Sequence, residues 1–382
     1  MLTTDQIALR DAVRELADEK IAPRAAEIDR TAEFPWDVVK LLADHDILAL
    51  PFPEAFGGLG GDLLTLCVAI EEISRVCATS GLILAVQELG GLPIMIAGSD
   101  EQKRRWLPSM ATGEILGAFA LSEANAGSDA ASLRTRAVRD GDGWRLDGSK
   151  RFISQGSVAG VVAVFAQTDS EAATRKAHRH MTCFYVEKGT PGFDAARLEH
   201  KMGIRGSPTA ELTFDGVRVP ESNRVGEVGE GWSIAMRTFE RSRPGIAAQA
   251  VGIAQGATDV AIGYARDRKQ FGRPIGELQM VGAMLADMAT RTEAARQLLY
   301  EACREIEAGS PNAARWASMC KLFAGDTAMA VTTDAVQVLG GYGYITEYPV
   351  ERMMRDAKIT QLYEGTQQIQ RLIVARALLT GE

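Results

Sequence analysis

The residues best placed to do chemistry lie near the C-terminus. Gln361 to Arg371 reads Gln-Leu-Tyr-Glu-Gly-Thr-Gln-Gln-Ile-Gln-Arg, so Glu364 sits between the ring of Tyr363 and Gly365. After it, Ile369, Leu372, Ile373 and Ala377 recur at i, i+3, i+4 and i+8. That spacing predicts a helix with one face toward a core. Thr366 or Gly365 can cap its start. A helix N-terminus offers unpaired N–H groups and the positive end of the dipole. A lone glutamate before a helix is usually a solvated capping acid. A carboxylate held beside an aromatic ring and an apolar ligand is different, because desolvation raises its pKa toward that of a general base.

The elements that must position this group belong to a chain of 382 residues, long enough for two or three domains. Its hydrophobic content of 46% is that of an ordinary globular protein. The net charge of -8 argues against nucleic acid as a partner. No segment reads as the roughly 20 apolar residues of a membrane span. The start, with Asp5, Arg10 and Asp11, has no signal-peptide apolar stretch. Cys67, Cys77, Cys183, Cys303 and Cys320 are scattered, odd in number and without CxxC spacing. They read as reduced core thiols of a cytoplasmic protein. The four histidines form no HExxH pair, so no metal site is expected.

Three regions follow. Residues 1–115 read as helical, opening with a Thr3–Gln6 capping box and punctuated by Pro35 and Pro51-Phe52-Pro53. The run Gly57-Gly58-Leu59-Gly60-Gly61 lacks the Lys-Ser/Thr of a phosphate loop and reads as a turn between helices. Residues 116–222 read as β: Asp142-Gly143 signals a hairpin, and Val161–Ala166, Met181–Val186 and Glu211–Phe214 are short strand-like runs. Without alternating helices or GxGxxG, a dinucleotide-binding Rossmann unit is not expected. Residues 223–382 read as helical again, with Gly245, Ala248, Gly252 and Gly256 letting one helix be approached closely. The basic stretch Thr174–His180 between two strands suits a phosphate or an acidic carrier, and equally a solvated loop.

Five blocks of this chain, in order, resemble the acyl-CoA dehydrogenase family. They are Phe119-Ala120-Leu121-Ser122-Glu123 with Ala126-Gly127-Ser128-Asp129; Lys201-Met202-Gly203 with Arg205, Ser207, Thr209 and Val217-Arg218-Val219-Pro220; Arg268-Lys269-Gln270-Phe271-Gly272; Gln337-Val338-Leu339-Gly340-Gly341; and Tyr363-Glu364-Gly365-Thr366 with Gln368-Ile369-Gln370-Arg371. The resemblance spans essentially the whole chain. It implies an α+β multidomain fold: an N-terminal α-helical domain, a middle β-barrel-like domain and a C-terminal four-helix-bundle domain that assembles homotetramers. It also implies FAD. Phe119 and the main chain of Leu121 and Ser122 would meet the flavin, Ser128 would lie between phosphate and substrate, Phe152 would sit against the ring, and Ser154 would bond near N5. Arg268, Gln270, Phe271 and Gln279 would reach a neighbouring subunit's flavin. Gln337, Gly340 and Gly341 would hold the adenosine end, with Thr366 and Gln368 closing the site. Glu240, Arg243 and Gly365 would join Ser128 in binding substrate. As a plain surface charge, Glu240 would pair with Arg241 or Arg243 instead.

By the same resemblance the reaction is α,β-dehydrogenation of an acyl-CoA thioester to the trans-2-enoyl-CoA. Glu364 is the α-proton base, flavin N5 the hydride acceptor, and an electron-transfer flavoprotein takes the electrons. No side chain accepts hydride, so such chemistry demands a redox cofactor. Relatives with the base on an earlier helix have it where this chain has Ser242, which cannot serve. Phe152, Ser154 and Gln155 stand where relatives usually carry Trp, Thr and Asn, and Asn125 stands near a usual proline. Alternatives stay open: a dehydrogenase of carrier-protein-tethered acyl groups, an oxidase, or a non-redox lyase or scaffold on the same fold. The acyl pocket is expected along Val86–Leu92 and the helix after Arg243, with Gly90-Gly91 leaving room in it.

Overall fold

The computed structural model describes residues 1–380. Six helices open the chain: α1 (Thr4–Leu16), α2 (Ala25–Thr31), α3 (Trp36–Asp44), α4 (Leu63–Val76), α5 (Ala78–Ala97) and α6 (Asp100–Ala111). The expected capping box starts α1, with Gln6 N–H to Thr3 Oγ1 at 3.2 Å and Thr3 N–H to Gln6 Oε1 at 3.0 Å. Helix α5 corrects one expectation. Its 20 residues are long and apolar enough to cross a membrane, yet most are buried inside the protein, so it is a core helix.

Eight strands follow, β1 (Gly117–Ala120), β2 (Arg136–Asp140), β3 (Gly143–Ser154), β4 (Val161–Gln167), β5 (Met181–Glu187), β6 (Phe193–Leu198), β7 (Thr209–Pro220) and β8 (Arg224–Val225), with the short α7 (Ala172–Lys176) before β5. They form one mixed sheet in the order β6-β7-β3-β2-β4-β5-β8, with β1 parallel to β4. The link between β2 and β4 is a single pair, Arg136 with Gln167, so the sheet folds into two leaves there. Strand β4 is apolar from Val161 to Ala166 because both its faces are buried. Val162, Val164 and Ala166 join the core between the leaves, whereas Val161, Ala163 and Phe165 join a core shared with Phe119, Trp106 and Ile234. The β2–β3 hairpin turns at Gly141-Asp142, one residue earlier than expected, because Asp140 pairs with Gly143 and Gly141 takes φ of 64°.

The C-terminal region holds α8 (Gly231–Asp267), a hairpin of β9 (Lys269–Gln270) and β10 (Arg273–Pro274), then α9 (Gln279–Glu307), α10 (Ala313–Leu339), α11 (Val350–Ala357) and α12 (Gln367–Thr380). Helix α8 packs on α4, α5, α9 and α10. Its small residues serve the approach to α4: a Cβ on Gly252 would stand 2.2 Å from the Glu71 carbonyl oxygen, and one on Gly256 1.9 Å from that of Arg75. All five cysteines are buried free thiols.

Candidate functional site

The predicted helix after Glu364 is α12, and Thr366 caps it, its Oγ1 accepting from Ile369 N–H at 3.4 Å. The expected stripe is not packed in a core. Leu372 is exposed, Ile369 and Ile373 line a cavity, and the fully buried residues of this turn are Gln367 and Gln370. Those glutamines hold the loop before the helix. Gln370 Nε2 donates to the carbonyls of both Glu364 and Gly365, at 2.9 Å each. Arg243 Nε donates to the Glu364 carbonyl at 3.3 Å, and Lys321 Nζ to that of Gly365 at 2.7 Å. Glu364 itself adopts φ of 56°, a left-handed conformation that a non-glycine residue holds only when its surroundings impose it.

The Glu364 side chain enters a cavity of about 380 Å³. Its Oε2 accepts a hydrogen bond of 2.7 Å from Ser242 Oγ on α8. Burial raises the carboxyl pKa, while the Ser242 bond and the charges of Arg243 and Lys321 pull it back. Arg243 is itself buried and desolvation lowers its pKa, opposed by Glu364 and Glu240. Tyr363 also lines the cavity, with its hydroxyl hydrogen-bonded to Gln249. One wall is apolar: Leu82, Ala85, Val86 and Leu89 of α5 face Phe239 and Ile246 of α8. The other carries Phe119, Leu121, Ser122, Ser128, Phe152 and Ser154. Among the described residues, Glu364 is the only carboxylate lining this cavity.

The second wall is built by β1 and β3. Lys150, fully buried on β3, donates to the Leu121 carbonyl at 3.0 Å and to Glu123 Oε1 at 2.8 Å, and Arg151 N–H takes the Ser122 carbonyl at 2.9 Å. The main chain of 121–122 is thereby fixed at the cavity edge. A shift in the β3–β7 register falls between Lys150 and Ile153, and Phe152 within it has φ of 63°. The strand irregularity turns this ring outward, 60% exposed on the cavity. Exposure on that scale is not how a strand-core phenylalanine behaves.

Several expectations are corrected. Gly90 and Gly91 make no room for a ligand: a Cβ on Gly90 would lie 2.7 Å from Gly117 main chain, and one on Gly91 2.6 Å from Phe52 Cε1. Their missing side chains admit β1 and a buried ring. Glu240 does not line the cavity, and Arg241 pairs with Glu307, at 2.8 Å, rather than with Glu240. The basic stretch before β5 contains α7, and His178 stacks on Trp232 at 4.6 Å between centroids.

Another group of predicted residues lies on a second cavity of about 560 Å³, lined by Arg268, Gln270, Phe271, Gly340 and Gly341 with Tyr264 and Tyr342. Phe271 and Gly272 are the two-residue turn of the β9–β10 hairpin, at φ of 53° and 76°. The turn carries the Phe271 ring 91% exposed. Gly340, at φ of 61°, and Gly341 have nothing within 4 Å of an added Cβ, so their backbone lies open to a ligand. Gln279 and Gln337 are exposed near this cavity without lining it, as Gln368 is near the first.

Family models match the chain in three consecutive pieces: acyl-CoA dehydrogenase N-terminal domain at residues 3–114, middle domain at 118–217 and C-terminal domain at 229–379. The chain belongs to the acyl-CoA dehydrogenase family. It is 46% identical over 381 residues to an acyl-CoA dehydrogenase of Bacillus subtilis (strain 168), covering 100% of this chain and 99% of that one. The butyryl-CoA dehydrogenase structure from Megasphaera elsdenii superposes with a TM-score of 0.95 at 41% identity, over 99% of both chains. A chain solved in work on the electron transferring flavoprotein of Acidaminococcus fermentans superposes at 0.96 with 44% identity, over 99% of both. The fold is therefore that of an acyl-CoA dehydrogenase, helical, then β, then helical.

In this acyl-CoA dehydrogenase the residues with a predicted role divide between two places. Glu364, Ser128, Arg243, Gly365, Phe119, Leu121, Ser122, Phe152 and Ser154 meet around one cavity; Arg268, Gln270, Phe271, Gly340 and Gly341 meet around the other. Ser242 was read from sequence only as unable to be the base, and the structure shows its hydroxyl bonded to the Glu364 carboxylate. Lys321, Gln370 and Trp232 gave no motif signal; only their distance in space from Glu364 or from the cavity reveals them.

Proposed function

We propose that this acyl-CoA dehydrogenase binds its thioester in the 380 Å³ cavity and uses Glu364 to remove the α-proton. The observation that carries the reading is a desolvated carboxylate, the only one lining the cavity among the described residues, facing the apolar side chains of α5 and oriented by a 2.7 Å bond from Ser242. The Ser242 hydroxyl fixes which carboxylate oxygen is free to accept the proton. The main-chain N–H of Glu364 is the donor for the thioester carbonyl as negative charge develops there. The apolar side chains of α5 exclude water from the acyl group.

FAD is the cofactor, and when bound it supplies the acceptor for the hydride leaving the β-carbon. The residues fit a flavin. Phe152 offers an exposed flat ring, Ser154 a hydroxyl beside it, and the pinned 121–122 main chain an edge. We assign Phe119, Leu121, Ser122, Ser128, Phe152, Ser154, Thr366 and Gln368 to this end. Arg268, Gln270, Phe271, Gln279, Gln337, Gly340 and Gly341 we assign to the flavin of a neighbouring subunit in a homotetramer. The open 560 Å³ cavity with its exposed aromatic tip supports that assignment. The superposition with the chain from the electron transferring flavoprotein study supports such a flavoprotein as electron acceptor. The likeness to butyryl-CoA dehydrogenase supports acyl groups of C4 to C8, straight or α-branched.

The test is anaerobic. Purified protein is mixed with acyl-CoAs from C4 to C16 and the visible flavin spectrum followed. A yellow protein bleached most efficiently by a C4 to C8 thioester is expected. Colourless protein after FAD reconstitution, or no bleaching by any thioester, refutes the reading; a long-chain preference refutes the chain length alone.

A further inference from the structure

The loop that carries Glu364 is held from beneath by two buried cations on different helices. Arg243 of α8 takes the carbonyl of residue 364, and Lys321 of α10 that of residue 365. Lys321 is wholly buried, an unusual place for an amine. Its Nζ lies 2.7 Å from the Gly365 oxygen and 3.2 Å from Gln367 Oε1, and has no other hydrogen-bond partner among the described residues. Gln367 in turn donates to the Leu322 carbonyl at 2.7 Å and to Asp326 at 3.0 Å, which ties the first turn of α12 back to α10. A packing role alone would be filled by a methionine. The ammonium is placed where it acts on both the loop carbonyl and the carboxylate beyond it.

We infer that Lys321 is a positioning residue for the base, holding Glu364 in its left-handed conformation through the Gly365 carbonyl and setting its proton affinity. This rests on Glu364 as the base. The charged and titratable groups facing Lys321 are Arg243 from α8, Glu364 from the loop, and Asp326 and Cys320 from its own helix; Asp326 is shared with Arg371 of α12. Burial pushes the Lys321 amine down to about 7, opposed by Glu364 and Asp326, so its charge titrates in the working range of pH. While protonated it lowers the pKa of Glu364. As pH rises and the proton leaves, the loop loses one of its two cations, and the Gly365 carbonyl keeps only the weaker bond of a neutral amine.

The experiment compares wild type, Lys321→Met and Lys321→Arg as FAD-loaded enzymes. Flavin reduction is followed by anaerobic stopped flow across pH 5.5 to 10, and amide hydrogen exchange of residues 362–370 by mass spectrometry. Lys321→Met is expected to keep FAD and thioester affinity within about twofold. Its reduction rate should fall at least tenfold, its acid limb move to higher pH, and exchange in the loop rise. Lys321→Arg, permanently charged, should retain most of the rate at pH 7 and extend activity further into alkali than wild type. Unchanged limbs and loop exchange in Lys321→Met overturn the inference, as does a Lys321→Arg profile that falls off in alkali as wild type does. Should Lys321→Met fail to fold, the Lys321→Arg profile decides alone. Undiminished bleaching by Glu364→Gln would instead reject Glu364 as the base, whatever the Lys321 variants do.

Discussion

Replacing Glu364 with glutamine isolates proton acceptance from everything else the residue does. The amide oxygen can still accept from Ser242 Oγ, now 2.7 Å from the carboxylate. The main-chain restraints from Arg243, Gln370 and Lys321 end on the carbonyls of residues 364 and 365 and are untouched. The cavity keeps its shape, so thioester affinity should change little. A positioned general base is worth about 10²- to 10⁴-fold, or roughly 3 to 5 kcal/mol of barrier. The loss should lie toward the upper end, because no second carboxylate lines the cavity among the described residues. Glu88 and Glu240, the nearest candidates by charge coupling, both lie off its wall. The assay is single-turnover bleaching at saturating thioester under anaerobic conditions, with FAD content measured on the same sample. A rate within about threefold of wild type would mean that another group takes the proton. Loss of FAD from the variant would show instead that Glu364 supports the loop rather than the chemistry.

Three further outcomes are expected. Arg268→Ala should lower FAD occupancy and weaken subunit assembly together, read by absorbance and light scattering; full occupancy in a monomer contradicts the assignment of the second cavity. Gly256→Val places carbon where the Arg75 carbonyl oxygen now lies 1.9 Å away, and should cost more than about 3 kcal/mol in urea unfolding. Glu88, buried on α5 with Oε2 unpartnered, is pushed up to about 8, chiefly by burial. Its neutral form is favoured in the folded state, so its contribution to stability is present at pH 4 and is lost as pH rises toward 8. Glu88→Gln should therefore gain on wild type between pH 5 and pH 8 by roughly 4 kcal/mol, and parallel stability curves would show that Glu88 does not titrate there.

Much of this was legible because local signals agreed with the fold. The Thr3–Gln6 box, the apolar β4 run and the small-residue ridge of α8 each encode their element in adjacent residues. The carboxylate that enters the cavity was legible for the same reason, since Tyr363, Glu364 and Gly365 are contiguous. What holds Glu364 was not. Ser242, Lys321 and Gln370 come from three different helices and converge only on folding, and nothing in their spacing announces it. The glycines of α5 misled because a missing side chain can make room for a ligand or for another part of the chain, and only packing tells which. The apolar stripe of α12 misled because buried amides, Gln367 and Gln370, satisfy main-chain carbonyls and look polar on a helix wheel.

The contact between Gly90 and Gly117 has an evolutionary corollary. There α5 and β1 meet backbone to backbone, with less space than a methyl group needs. The helix forming the apolar wall is thus keyed directly to the strand that leads into Leu121 and Ser122 on the opposite wall. A lineage adapting this scaffold to longer or bulkier thioesters cannot easily slide α5 outward without dragging the opposite wall after it. Selection is left with the residues that project from a stationary frame, Leu82, Ala85, Val86 and Leu89. Chain-length preference should drift quickly at those four positions, while the geometry between Glu364 and the opposite wall stays constant across enzymes with quite different diets.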